Sequence, residues 1–117
     1  MRRLATLGKA LSDETRLDML ALLMGGEELC VCDFEHVLGI HQSKASRHLR
    51  YLLNAGLLED RREAVWVYYR LAHDLSPDVR SLLDTLTPLM NQARCQELNA
   101  QLAHWQESKN RSERGCH

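Results

Sequence analysis

The sequence contains no long apolar run and no recognisable targeting segment. No stretch approaches the roughly 18 consecutive apolar residues that a membrane-spanning helix needs. Residues 1–5 include two arginines, but they lead into neither a long apolar segment nor the small-residue cleavage pattern of a signal peptide. Internal repeats and low-complexity tracts are also lacking. We therefore expect a cytoplasmic protein with no membrane partner.

A strong excess of charge of either sign is lacking too, since the formal net charge is −1. The distribution of charge is nevertheless uneven. Residues 41–70 carry six basic and three acidic side chains, whereas residues 1–40 carry four basic and seven acidic ones. A basic middle between acidic flanks is typical of a local surface that faces phosphate groups. A solvated charged face without a partner gives the same pattern, so charge alone leaves both interpretations open.

The chain lacks the cysteine density of a disulfide-rich domain, since it has four cysteines among 117 residues. A chain of this length can form one domain and bury a core without disulfide bonds. Because cytoplasmic thiols stay reduced, a metal-binding or redox role is favoured over a structural one. Cys30 and Cys32 do not form the C-x-x-C motif of oxidoreductases, and no anion-binding loop accompanies them. We therefore predict that the protein is not an enzyme and needs no catalytic cofactor.

Apolar residues at helical spacing predict four helices in the first half of the chain. They cover about residues 4–11, 12–24, 29–38 and 42–54. Ser12 is the expected N-cap of the second helix, and a glycine pair ends that helix. The third and fourth helices are short and are joined by a tight turn. The fourth helix is polar on one side. This arrangement is typical of a helix-turn-helix.

A β-hairpin is predicted after the fourth helix. Residues 57–58 begin its first strand, residues 59–64 form the turn, and residues 65–71 are rich in the β-branched and aromatic residues of a second strand. Basic side chains near the tip give this hairpin the character of a wing. The predicted fold class is therefore mainly α with a small β-hairpin, a winged helix-turn-helix.

The last predicted helix begins at Pro77, a residue suited to the first helical position. Its apolar stripe continues to Trp105, with a kink at Pro88. Because this stripe is too apolar for a thin monomer, we expect the first and last helices to pack against a two-fold copy of the chain. The alternative is that the last helix only covers its own helix-turn-helix. We place the domain at residues 1–108 and a flexible tail at residues 109–117.

The predicted fourth helix offers polar side chains that suit the major groove of DNA. The candidate DNA contacts are Gln42, Ser43, Lys44, Ser46, Arg47 and His48 on this helix, with Arg61 and Arg62 on the hairpin. Glutamine can pair with adenine, and lysine or arginine with guanine or phosphate. His48 has an equal alternative as a partly buried histidine bonded within the fold.

Cys30 and Cys32 place two thiols immediately before this DNA-reading unit. Thiols suit soft ions far better than hard ones. Positions i and i+2 of an α-helix point about 200° apart, so two helical cysteines at this spacing cannot hold one small ion. In an extended segment they point to the same side. We therefore predict that an ion bound by both sulfurs unwinds the start of the third helix and so weakens DNA binding. Two unliganded, apolar-type cysteines are the alternative.

Several segments of the chain resemble the ArsR/SmtB family of metal-responsive repressors. They are residues 28–33 (ELCVCD), 42–49 (QSKASRHL), 66–71 (WVYYRL) and 10–16 (ALSDETR). The ELCVCD segment is specific to the arsenical and antimonial branch, and the resemblance spans roughly residues 4–107. It implies a homodimeric winged helix that represses a resistance operon. Trivalent arsenic or antimony, As(III) or Sb(III), is the implied inducer that binds the thiolates and releases operator DNA.

The resemblance leaves the third ligand of the ion open. Many arsenic-sensing relatives carry a third cysteine where this chain has Glu35. Cys95, Cys116 or a small cellular thiol can complete the site, or two sulfurs suffice. Cadmium- and lead-sensing relatives add thiols from an N-terminal extension, and this chain has no cysteine before Cys30. That argues against cadmium or lead as the main signal. A thiol redox-responsive or cadmium- or lead-responsive repressor is kept as the alternative to an arsenite or antimonite sensor.

Overall fold

A computed structural model describes residues 1–112 of the chain, so Cys116 and the rest of residues 113–117 lie outside the described residues. The elements in chain order are α1 (Arg2–Ala10), α2 (Glu14–Leu23), β1 (Leu29–Cys30), α3 (Val31–Leu38), α4 (Gln42–Asn54), β2 (Leu58–Glu63), β3 (Trp66–Leu71), α5 (Pro77–Leu86), a 3-10 turn (Thr87–Leu89) and α6 (Gln92–Ser112). The predicted fold class, a mainly α winged helix-turn-helix, is confirmed. No helix within residues 1–112 is both long and apolar enough to cross a membrane.

The helix-turn-helix consists of α3 and α4. Gly39 ends α3 with a left-handed backbone (φ 63°), a conformation that glycine adopts without steric cost. His41 then caps α4, because its Nδ1 accepts a hydrogen bond from the Ser43 backbone N–H at 3.3 Å. Ala45 and Leu49 turn into the core and are fully buried. The apolar side of α4 is thereby fixed inward and its polar side outward.

The start of α2 differs from the prediction. Asp13, not Ser12, is the N-cap: its backbone is extended, and its carboxylate accepts a hydrogen bond from the Arg16 N–H at 3.0 Å. The Ser12 hydroxyl instead donates to the Lys9 carbonyl oxygen at 2.8 Å, at the end of α1. Both residue types favour caps, and the chain places the acidic one where the helix begins.

The sheet is larger than the predicted hairpin. Its strand order is β1-β3-β2, and all neighbours are antiparallel. The prediction of a turn over residues 59–64 is wrong, because β2 runs through Glu63, which pairs with Trp66 and leaves a two-residue turn at Ala64 and Val65. The added strand β1 pairs Cys30 with Tyr68. The third helix therefore starts at Val31, two residues later than predicted.

The C-terminal region forms two helices rather than one kinked helix. Ser76 caps α5 and Pro77 occupies its first turn, as predicted. The helix ends at Leu86, because Pro88 cannot donate the hydrogen bond that would continue it. The new helix α6 packs against α2 and α3, with Leu98 and Leu102 buried in the core. It continues to Ser112, past the predicted domain boundary at residue 108.

Candidate sensor site and nucleic-acid interface

The two cysteines flank the junction between β1 and α3. Cys30 is the N-cap of α3, with an extended backbone (φ −94°, ψ 167°), and it is 3% exposed. Cys32 lies in the first turn of α3 and is half-buried. The prediction that both cysteines are helical is therefore wrong, because pairing with Tyr68 keeps Cys30 in the sheet. Only Cys32 lies within the helix, so the divergence expected of two helical cysteines does not apply to this pair.

Both cysteines line one cleft of about 550 Å³, which we call the cysteine cleft. It lies between the start of α3, the first turns of α4, and strand β3 with the turn of the wing. Its lining residues are Cys30, Val31, Cys32, Glu35, Gln42, Ser46, Val65, Trp66, Val67 and Tyr69. The cleft thus brings the cysteines, α4 and the wing to one surface.

Cys30, at one end of the cleft, is hydrogen-bonded to the buried carboxylate of Asp33. Asp33 is 3% exposed, and its Oδ2 accepts hydrogen bonds from the Cys30 backbone N–H (2.9 Å) and from Cys30 Sγ (3.4 Å). Its Oδ1 accepts from Trp105 Nε1 and Lys109 Nζ, both at 2.8 Å. Burial raises the pKa of Asp33, but the Lys109, Cys30 and Trp105 donors outweigh burial and hold the pKa below its usual value. Asp33 is thus a buried anion.

The candidate third ligands are not brought to the cysteine pair within the described part of the chain. Cys95 lines a different cleft, together with Leu17, Met90 and Arg94. Glu35 does line the cysteine cleft. Among residues 1–112, no group of three or more histidine, cysteine, aspartate or glutamate side chains is placed to hold a metal ion. Two thiols are therefore what the described structure offers a thiophilic ion.

The predicted DNA-contacting side chains of α4 form an exposed face. Gln42, Ser43, Lys44 and Arg47 are exposed, and Ser46 is half-buried. Lys44 and Arg47 lie three residues apart, so they occupy neighbouring positions on the helix surface. Gln42 and Ser46 also line the cysteine cleft. The DNA-reading face and the candidate sensor thus share two residues.

His48 does not belong to this exposed face. It is 8% exposed, and its Nδ1 lies 3.1 Å from a guanidinium nitrogen of Arg16. Arg16 also donates to the Ala10 and Lys9 carbonyl oxygens and covers the ring of Tyr51 at 4.2 Å. Since Arg16 can only donate, His48 accepts through Nδ1 and is neutral. The expectation of a DNA contact at His48 is wrong, and the alternative of a histidine bonded within the fold is correct.

The burial of His48 predicts a pH-dependent stability. Burial lowers the pKa of His48 below 6.5, Asp13 partly opposes this, and the charge of Arg16 adds to it. As the pH falls through 6.5, the unfolded histidine binds a proton that the folded one excludes, so the free energy of unfolding decreases. Urea unfolding is measured at about pH 7.5 and about pH 5.5. Between these pH values the free energy of unfolding is expected to fall more in wild type than in His48→Gln. The exposed His104→Gln serves as the control, and equal losses in wild type and His48→Gln would contradict this assignment.

The wing arginines differ in their surroundings. Arg61 Nε lies 2.7 Å from a Glu28 carboxylate oxygen, its Nη1 lies 2.9 Å from Glu63, and its guanidinium covers the ring of Tyr68 at 4.7 Å. These carboxylates raise the pKa of Arg61, and Arg61 lowers the pKa of Glu28. Arg62 is exposed on the neighbouring position of β2. Arg61 therefore joins the wing to the segment that precedes Cys30.

Three of these residues were not identified from the sequence: Asp33, Glu28 and Arg16. Asp33 carried no clear signal, because a capping box is recognised by Ser or Thr at the N-cap, and Cys30 takes that place here. Arg61 pairs with Glu28, which lies 33 positions away in the chain. Arg16 contacts His48, which lies 32 positions away. No local pattern reports such contacts, so these two could only come from the folded structure.

Comparison with known proteins gives consistent results. Residues 13–60 match the profile of a family described as bacterial regulatory protein, arsR family. The arsenic resistance transcriptional regulator ArsR1 of Pseudomonas putida is 46% identical over 78 residues, which cover 67% of this chain and 58% of that protein. The arsenical resistance operon repressor of Escherichia coli is 45% identical over 76 residues, or 65% of each chain. The match thus spans about three fifths of the length of these curated relatives.

A solved structure of similar fold comes from Mycobacterium bovis. It is a homodimeric winged helix-turn-helix DNA-binding domain, described as a possible ArsR-family transcriptional regulator. It is 34% identical, has a TM-score of 0.64, and the alignment covers 75% of this chain and 78% of that one. All three relatives are named as regulators or DNA-binding domains, in agreement with the prediction that the chain is not an enzyme.

Proposed function

This chain belongs to the arsR family of bacterial regulatory proteins, and we propose that it is a transcriptional repressor that senses trivalent arsenic or antimony. In this proposal it binds operator DNA as a homodimer through α4 and the wing. Binding of As(III) or Sb(III) to Cys30 and Cys32 releases the DNA. The relatives named for arsenic and arsenical resistance support this choice of inducer.

The single observation that carries the proposal is the cysteine cleft. It places Cys30 and Cys32 on the same surface as Gln42 and Ser46 of α4. Allosteric release requires a ligand that binds the two conformations with different affinity. An ion drawn between the two sulfurs changes the shape of a cleft whose opposite wall is the DNA-reading helix. The coupling is therefore local, across one cleft, rather than through unwinding of a helix.

The chemistry of the thiols fits a soft trivalent ion. In arsenous acid each S–As bond forms as one hydroxide leaves arsenic and takes the thiol proton away as water. Two thiols release two waters and leave the third position of arsenic to hydroxide or to a small thiol, with no change in oxidation state. Thiolates select soft ions over Mg²⁺ or Ca²⁺, which prefer oxygen ligands. The buried Cys30 and the half-buried Cys32 give such an ion one sheltered and one accessible ligand.

A homodimer is part of this proposal. Leu4 on α1 is 64% exposed, and Leu89 in the 3-10 turn before α6 is 77% exposed. A contiguous apolar patch marks a protein–protein contact, and we place these two leucines in such a patch. The solved Mycobacterium bovis relative is described as homodimeric. A two-fold pair of α4 helices would read two half-sites of an operator.

Arsenite titration of the protein–DNA complex tests the proposal. The probe is a fluorescent duplex taken from the region upstream of the gene, observed by anisotropy under reducing conditions. Arsenite or antimonite is expected to release the DNA, with an apparent affinity that falls by about 5- to 150-fold, the usual range of allosteric coupling. Release of the DNA by peroxide alone would favour a redox regulator. Release by cadmium or lead alone would favour a cadmium- or lead-responsive repressor. Binding unchanged by arsenite would contradict the proposal.

A further inference from the structure

We propose that Asp33 is a positioning residue that transmits ligand binding at Cys30 to the C-terminal helix α6, by way of Trp105 and Lys109. This inference rests on the proposed function, since it requires a ligand at the cysteine pair. It adds a second route of response, which leads away from α4 and toward the C-terminal helix α6.

The geometry that carries the inference is a carboxylate shared between two elements. One oxygen of Asp33 accepts both hydrogen bonds from Cys30, and the other accepts those from Trp105 and Lys109. The donors on the second oxygen come from residues 72 and 76 positions away in the chain. We call Cys30, Asp33, Trp105 and Lys109 the Asp33 cluster. Asp33 is 3% exposed, so water cannot readily replace a donor that is lost.

Binding of a soft ion at Cys30 removes one of these donors. The thiol that donates to Asp33 Oδ2 at 3.4 Å has no proton once its sulfur is bonded to arsenic. The sulfur also has to turn toward the cleft in order to share the ion with Cys32. A buried carboxylate that loses a donor becomes less stable unless its other donors adjust. Besides the Cys30 backbone N–H, the remaining donors are Trp105 and Lys109 of α6, so we expect the contact of α6 with α3 to shift.

Trp105 makes this change visible. Its ring stacks on His36 of α3, with ring centroids 3.6 Å apart and planes 11° apart. Its indole N–H is fixed by Asp33. The chain contains two tryptophans, and the other, Trp66, lines the cysteine cleft itself. Trp66 therefore reports occupancy of the cleft, and Trp105 reports the response of α6.

A purely structural role for Asp33 is the competing explanation. As the third residue of α3, Asp33 accepts the backbone N–H of its N-cap, which is a helix-capping function. A cap alone stabilises α3 whether or not the ligand is present. It does not make the surroundings of Trp105 depend on arsenite, and this difference separates the two roles.

The experiment uses two single-tryptophan variants of the full chain. Trp105→Phe leaves Trp66, and Trp66→Phe leaves Trp105. Each is titrated with arsenite under reducing conditions, and the emission spectrum is recorded. Both emissions are expected to change and to saturate at the same ratio of arsenite to protein. A response of Trp66 without one of Trp105 would overturn this inference and leave the proposed function standing. Silence of both would overturn the proposed function and the inference with it.

Two further substitutions in the Trp66→Phe background test the route. Asp33→Asn removes the charge that Lys109 pairs with, and Lys109→Met removes one α6 donor while leaving the cap of α3 intact. Both are expected to lose most of the arsenite response of Trp105, while the same substitutions in the Trp105→Phe background keep the response of Trp66. Asp18→Asn is the matched control, because Asp18 binds α6 through Arg94 at 3.0 Å and does not line the cysteine cleft. A full Trp105 response in Lys109→Met would overturn the route.

Discussion

Replacement of both Cys30 and Cys32 by serine is expected to abolish the release of DNA by arsenite and to leave DNA binding itself nearly unchanged. Serine keeps the size of the side chain but replaces a soft sulfur ligand by a hard oxygen that binds trivalent arsenic poorly. Neither cysteine lies among the exposed residues of α4 that are predicted to contact DNA. The whole coupling, about 1–3 kcal/mol or about 5- to 150-fold in affinity, is expected to disappear.

Anisotropy titrations of the double variant with and without arsenite measure this effect directly. Cys95→Ser is the matched control, because it removes a thiol that lines a different cleft, and it is expected to respond like wild type. Retention of full arsenite release in the double variant would show that the inducer binds elsewhere. Loss of DNA binding in the absence of arsenite would show that the cysteines are required for the fold of the helix-turn-helix.

Alanine at Arg47 or Lys44 is expected to weaken DNA binding more than any other single substitution on the exposed surface. Both side chains are exposed on the face of α4 that the helix-turn-helix presents outward. A base contact by an arginine is worth about 1–3 kcal/mol and specifies sequence at one position. A phosphate contact instead weakens binding for all sequences and reduces the slope of log affinity against log salt by about one.

Titrations over a range of salt concentrations separate these two kinds of contact. Arg80→Ala on α5 is the matched control, because it also removes one exposed positive charge but lies outside the helix-turn-helix and pairs with Asp84. It is expected to change the affinity little. A loss in Arg80→Ala as large as in Arg47→Ala would mean that net charge, and not the face of α4, controls binding.

The helix-turn-helix was predictable because its signals are local. The apolar spacing of Ala45, Leu49 and Leu52 fixes the buried side of α4, and Gly39 marks the end of α3. The wing was also predictable as a hairpin from the aromatic and β-branched residues of β3. The extent of β2 was not, because its sequence LEDRRE is mostly charged and carries no strand pattern of its own.

The position of Cys30 was not predictable from the sequence. The strand β1 has two residues, too few to show any periodicity, and it exists because β3 offers a partner to it. This short strand removes Cys30 from the helix and so changes the expected mechanism. In the proposed mechanism the two sulfurs converge on one wall of the cysteine cleft, and unwinding of α3 at Cys30 is no longer part of the expectation.

The remaining differences also arise from contacts between distant residues. The buried state of His48 depends on Arg16, and the ionised state of Asp33 depends on Lys109 of α6. A local signal was present only for the break at Pro88, where the sequence indicated a kink and the chain instead begins a second helix.

The sulfur coordination of bound arsenic tests the central claim most directly. X-ray absorption at the arsenic edge, recorded on arsenite-loaded protein, counts the As–S bonds. We predict that Cys30→Ser and Cys32→Ser each lose one of the sulfur ligands seen in wild type, and that Cys95→Ser loses none. An unchanged sulfur count in either Cys30→Ser or Cys32→Ser, or a reduced count in Cys95→Ser, would contradict binding at the cysteine cleft.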